Sequence, residues 1–277
     1  MRLWPGPARL VLAAACVLVT PVLARATPVL FGITTFSDQL VRLDTQTGAG
    51  SLVGPLDSSM RAFGLSGLGT RLYTYDQRAD LLRELDPANA HTLASIDIGA
   101  GNLAGEGAVE LGENGVGWVA ESGTTTGRLW RFDLGAGTAT LVTDQLTPSL
   151  DGLALQPVTG TLFGISQLSY GLYTLDPDTG ATTAISVQNT LSGPGRTDVA
   201  GLAFAPDDTL WLAAVGNLYS VDKLKGTVTL VGATGYDVSG LAFVDVPAEP
   251  IPEPATVVLL GGGLLGLGLR ARRRFRR

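Results

Sequence analysis

The sequence predicts an all-β fold, a five-bladed β-propeller of four-stranded blades closed by its own C-terminal strand. Three observations carry that expectation. One short phrase recurs five times at intervals of about 45 residues, a second phrase marks one inner strand per repeat, and the two chain ends supply complementary parts of a single repeat.

The first phrase reads Leu40-Val41-Arg42-Leu43-Asp44, Leu82-Arg83-Glu84-Leu85-Asp86, Leu129-Trp130-Arg131-Phe132-Asp133, Leu172-Tyr173-Thr174-Leu175-Asp176 and Leu218-Tyr219-Ser220-Val221-Asp222. Its aspartates stand 42, 47, 43 and 46 residues apart. Each copy alternates side chains with the period of a strand and ends in an Asp suited to open a turn. Turn sequences follow, as in Asp176-Pro177-Asp178-Thr179-Gly180 and Lys223-Leu224-Lys225-Gly226, and then another β-rich run such as Thr227-Val228-Thr229-Leu230-Val231.

The second phrase is Gly64-Leu65-Ser66, Gly152-Leu153-Ala154-Leu155, Gly201-Leu202-Ala203-Phe204 and Gly240-Leu241-Ala242-Phe243, with Gly107-Ala108-Val109 as a degenerate third copy. Small and apolar, it suits the innermost strand, where blades crowd a central axis. A further strand comes next, as in Leu72-Tyr73-Thr74-Tyr75, Gly117-Trp118-Val119-Ala120, Leu162-Phe163-Gly164-Ile165 and Leu210-Trp211-Leu212-Ala213. The domain opens on Leu30-Phe31-Gly32-Ile33, a second-strand phrase, and closes on Gly240-Leu241-Ala242-Phe243, a first-strand phrase. The last strand is therefore expected to complete the first blade and leave no open sheet edge. A β-sandwich or a split β-solenoid is the competing arrangement.

Both termini read as address labels. Met1 to Ala26 has the layout of a secretory signal helix: Arg2 and Arg9, an apolar run from Leu10 to Leu23, and a cleavage site at Ala24-Arg25-Ala26. Cys16, the one cysteine, leaves with it, so the mature chain has neither a disulfide nor a thiol nucleophile. At the other end, Pro252-Glu253-Pro254 precedes an uncharged run from Ala255 to Leu269, then Arg270, Arg272, Arg273, Arg274, Arg276 and Arg277. As a helix the run covers about 22 Å, short of a full span, and Arg270 snorkelling to the interface makes up part of the difference. Positive charge stays cytoplasmic, which places everything before Pro254 outside. The expected organisation is a signal peptide over 1–26, a propeller over 27–246, a Pro-rich spacer over 247–254, a transmembrane helix over 255–269 and a basic tail over 270–277.

This C-terminal order of motif, apolar stretch and Arg cluster resembles the PEP-CTERM sorting signal of Gram-negative bacteria. The resemblance implies recognition by an exosortase, transient anchoring in the inner membrane, cutting near Pro252-Glu253-Pro254 and delivery to the cell surface or medium, often alongside exopolysaccharide production. The expected partners are therefore a Sec-type export machinery with its signal peptidase, an exosortase and the membrane. The repeat phrases also resemble those of bacterial exported propeller proteins of no settled activity.

Between the labels, Thr27 to Glu249 carries ten Lys and Arg against 24 Asp and Glu, a formal charge of −14. Nucleic acid and anionic lipid are poor partners for such a surface. His91 is the sole histidine and is read as a surface residue at the start of an outer strand. No nucleophile elbow, H-E-x-x-H or phosphate-cradling loop is present, and Asp176-x-Asp178-x-Gly180 is read as a hairpin turn because further calcium ligands are missing. Recurring aromatics (Trp118, Trp130, Trp211, Tyr73, Tyr173, Tyr219) are read as blade packing. Carboxylates remain: Glu106, Asp151, Asp198 and Asp237 lie just before or at the start of inner strands, around one mouth of the channel. Such a ring is fit to bind Ca²⁺ or to supply an acid and base for glycoside cleavage, although turn capping accounts for the same positions. Two readings follow. The preferred one is a non-enzymatic binding or structural module at the cell surface, associated with exopolysaccharide, biofilm or surface proteins and needing no cofactor. The alternative is a secreted carbohydrate-active enzyme using channel-mouth carboxylates.

Overall fold

Alternating side chains and closely spaced turns favour strands over helices between the two labels, and the described residues of the computed structural model form strands joined by turns. It describes residues 27–34, 37–101, 107–123, 126–169, 171–185 and 201–247, all within one compact unit, Ala26–Pro247. The expected signal helix, the spacer beyond Pro247, the transmembrane helix, the sorting motif and the basic tail lie outside the described residues. Among the described residues no helix is long and apolar enough to cross a membrane.

Five four-stranded antiparallel sheets form the blades. Blade one joins β20 (Val238–Val246), β1 (Thr27–Thr34), β2 (Gln39–Leu43) and β3 (Gly50–Pro55). Blade two is β4 (Ala62–Leu68), β5 (Arg71–Asp76), β6 (Leu81–Leu85) and β7 (Thr92–Ile96). Blade three is β8 (Gly107–Leu111), β9 (Val116–Glu121), β10 (Gly127–Asp133) and β11 (Thr138–Leu146). Blade four is β12 (Gly152–Leu155), β13 (Leu162–Ser166), β14 (Gly171–Leu175) and β15 (Thr182–Ala184). Blade five is β16 (Gly201–Phe204), β17 (Leu210–Ala214), β18 (Asn217–Asp222) and β19 (Thr227–Ala233). The expected clasp is present: β20 runs antiparallel to β1 from Thr27 opposite Val246 to Thr34 opposite Val238.

Hydrophobic side chains gather at the five junctions between blades. Phe31 and Leu40 of blade one pack with Leu65 and Leu72 of blade two, Tyr73 and Leu82 with Val109 and Val119, and Trp118 and Leu129 with Leu153 and Leu162. Phe163 and Leu172 meet Leu202 and Leu210, and the ring closes where Ala213 and Leu218 meet Leu30 and Leu241. Each fully buried side chain of this size contributes about 1.5–3 kcal/mol.

The recurring Asp has a uniform task. Oδ1 of Asp44 accepts from the backbone N–H of Gln46 at 2.7 Å, Asp86 from Ala88 at 2.9 Å, Asp133 from Ala136 at 2.9 Å, Asp176 from Asp178 at 2.9 Å and Asp222 from Leu224 at 3.0 Å. These N–H groups hold the carboxyls of Asp44, Asp176 and Asp222 below the ordinary aspartate range. Four residues on, the turn needs a left-handed backbone. Gly180 supplies it in the fourth repeat at φ +73°, while Ala90 adopts it in the second at φ +69°.

Candidate functional site

The inner strands close the channel because their small residues let backbones meet at the axis. A Cβ placed on Gly240 would lie 2.6 Å from the backbone N of Leu65, and one on Gly201 2.8 Å from the carbonyl carbon of Gly240. Register corrects the alignment of the third repeat. Val109 pairs with Val119 as Leu153 does with Gly164 and Leu202 with Leu212, so Ala108, not Gly107, stands in the place of the repeated glycine.

The corrected register exposes one exceptional residue. Opposite an aromatic on each second strand sits a small residue of the inner strand: Ala242 faces Phe31, Ser66 faces Tyr73, Ala154 faces Phe163 and Ala203 faces Trp211. In blade three the same place holds Glu110, opposite Trp118.

Glu110 borders a cavity of about 580 Å³ at the mouth where the inner strands end. The first hairpins of blades two to five form its walls, and the end of β20 completes them. Trp118, Phe204 and Phe243 supply aromatic surface, while Glu113, Asn114, Gln156 and Asp245 supply polar groups. Oε1 of Glu110 accepts from the backbone N–H of Leu155 at 2.9 Å, and Oε2 lies 3.2 Å from the Ser66 hydroxyl. That hydroxyl oxygen also accepts from the N–H of Leu111 at 2.8 Å. One carboxyl thus ties three adjacent inner strands together while part of its side chain stays open to the cavity. Burial pushes the Glu110 carboxyl up to about 8, against the opposing effect of Leu155 N–H and Ser66. The Trp118 ring is fixed by its indole N–H, which donates to the carbonyl of Pro177 at 3.3 Å. Gln156 donates to Asp208 at 2.9 Å, and Asp208 in turn pairs with Lys223.

Of the acids singled out in the sequence, Asp151 and Asp237 lie at the opposite mouth, where the inner strands begin. Asp151 is buried: Oδ1 accepts from Ser122 at 2.9 Å and Oδ2 from the N–H of Gln167 at 2.7 Å, which links blades three and four. Asp237 is exposed just before β20. Glu106 and Asp198 lie outside the described residues. Among the described residues no three His, Cys, Asp or Glu side chains gather as a metal site would require. His91 is an exposed residue preceding β7. The sequence does not single out Glu110, because Gly107 imitates the repeated glycine one residue before its true counterpart, Ala108. The detectable signal is an acid where every other copy carries Ala or Ser.

With the geometry established, the comparisons bear first on the tail. Residues 250–274 match the PEP-CTERM protein-sorting motif. The chain carries a PEP-CTERM sorting signal. That signal implies an exported, membrane-anchored precursor sorted by an exosortase. No curated protein matches the sequence. Among solved structures, a chain of a nidogen/laminin complex shares 10% identity over 78% of this chain and 98% of its own, with a TM-score of 0.52. A gluconolactonase from Xanthomonas campestris shares 15% identity over 79% of this chain and 80% of its own, with a TM-score of 0.49. At such identity the likeness to the nidogen/laminin chain is one of fold alone.

Proposed function

We propose that this protein is an exosortase-processed, cell-surface or matrix propeller that acts as a non-enzymatic binding module, with its binding site in the axial cavity beside Glu110. One observation carries the reading: a cavity of about 580 Å³, within the range of small-ligand sites, sits at the axis of a propeller whose channel is otherwise closed. Exopolysaccharide of the biofilm is the partner we propose, a reading supported by the export that the sorting signal implies. Acidic polymer is disfavoured by the domain's own charge of −14 between Thr27 and Glu249.

The carbohydrate-active alternative draws support from the raised Glu110 carboxyl, a state suited to a general acid. Against it, Glu110 is committed to Ser66 and Leu155 as a tie between strands. Purified protein is incubated with a panel of neutral and acidic polysaccharides while retention and chain length of the polymer are followed. Retention without shortening is expected, and Glu110→Ala weakens it. Shortening of any polymer that disappears in Glu110→Gln would overturn the non-enzymatic reading.

A further inference from the structure

Every charged group lining the cavity is an acid. Glu110 projects from β8, Glu113 from the hairpin that follows, and Asp245 from β20, and among the described residues the lining includes no Lys, Arg or His. The neighbouring elements add only neutral groups to the Glu110 carboxyl: Ser66 from β4 and the N–H of Leu155 from β12. Gln156 stands beside them, and Lys223 is engaged behind it by Asp208 with its ammonium 5.6 Å from the Phe204 ring. A buried carboxylate without a counter-charge is costly, so this site either holds a proton or waits for a positive ligand. Trp118 and Phe243 add π-faces, which attract cations as readily as they stack on sugars, while the Phe204 ring already carries Lys223. An anionic ligand meets repulsion from Glu113 and Asp245, and a neutral one leaves the carboxyls unused.

We propose that the cavity binds its ligand through an ammonium group seated against the Glu110 carboxylate and the Trp118 ring. The ligand class is therefore a small organic amine, either free or borne on an amino sugar of a surface polymer. Glu110 is the specificity-determining residue, and the four repeats carrying Ala or Ser at this place form no equivalent seat. The inference rests on the cavity being the module's binding site.

The test uses full-length protein in detergent and calorimetric titration at constant ionic strength. Four probes separate charge from shape: putrescine, its neutral counterpart 1,4-butanediol, the glucosamine disaccharide, and the same disaccharide fully N-acetylated. Putrescine or the amino disaccharide is expected to bind, and whichever binds names the source of the amine. Both neutral counterparts are expected to bind at least about tenfold more weakly. Glu110→Gln and Glu110→Ala abolish the preference while both variants still unfold in one cooperative transition, since Ala154, Ala203 and Ala242 already occupy the same place in other blades. Asp178→Asn, at the exposed ion pair with Arg131, changes nothing. Because an incoming ammonium needs Glu110 ionised, putrescine affinity rises by up to about tenfold per pH unit below 8 and then levels, and the slope vanishes in Glu110→Gln. Equal binding of acetylated and free disaccharide at the cavity would overturn the amine inference and leave the binding-module reading standing. Absence of amine binding at millimolar concentration, or amine binding indifferent to Glu110, also overturns it.

Discussion

Removing β20 is the most demanding test of how this fold is held together. Ending the chain at Tyr236 takes away Val238, Leu241 and Val244, which are 3%, 1% and 2% exposed. At about 1.5–3 kcal/mol each, their burial is worth roughly 5–9 kcal/mol before any loss along the ladder with β1 is counted. Domains of this kind have total stabilities of about 5–15 kcal/mol, so the truncation consumes most or all of the margin. It also opens blade one, bares the edge of β1 and leaves Leu30 and Val41 without their neighbour across the closing junction. The assay compares residues 27–247 with residues 27–236 in urea, following tryptophan fluorescence and far-ultraviolet circular dichroism. The longer chain should show one sharp transition and the shorter a broad or absent one, with added peptide 237–247 restoring the transition in trans. Superimposable curves with the same midpoint and slope would refute the clasp as the element that closes the ring.

Other consequences are narrower. Asp76 is buried and receives Nε and an Nη of Arg83 at 3.1 and 2.8 Å, so Asp76→Ala should cost about 3–5 kcal/mol in urea unfolding by stranding that guanidinium. Gly240→Ala pushes a methyl against the backbone of Leu65 and should cost about 1–3 kcal/mol, a loss visible in the melting temperature. Glu110 has its folded value raised to about 8, so the folded state holds a proton that the unfolded state has released; stability therefore falls as pH climbs from about 4.5 to 8 and is level above. Glu110→Gln should remove that slope, at most about 1.4 kcal/mol per pH unit, in unfolding measured across the range. Asp44, Asp176 and Asp222 work in the opposite sense: their depressed carboxyls contribute stability above the ordinary aspartate value that is lost as pH falls through the folded value. Acid unfolding of the Asp176→Asn variant should accordingly be shallower.

The division between what the chain declares and what folding decides follows from the range of the forces involved. Repeat length, strand phrases, turn aspartates and the complementary chain ends are local patterns, repeated five times because each blade solves the same packing problem. They were sufficient to anticipate the number of blades and the pairing of β20 with β1. The sorting signal is legible for a related reason: it is read as a linear segment, so its order of motif, apolar run and arginines is the whole message. The candidate site is different. Asp151 and Asp237 were visible as acids near inner strands, yet only their partners and exposure distinguish a buried tie between blades from a solvated turn residue. Glu110 became meaningful through register: pairing with Trp118 placed it where other blades carry Ala or Ser, and three strands from distant parts of the chain converged on its carboxyl. Sequence by itself determined the architecture and the destination, because both are written in short-range pattern. Tertiary structure alone decided which mouth holds the cavity and which acid is desolvated, because desolvation is a property of all the neighbours at once.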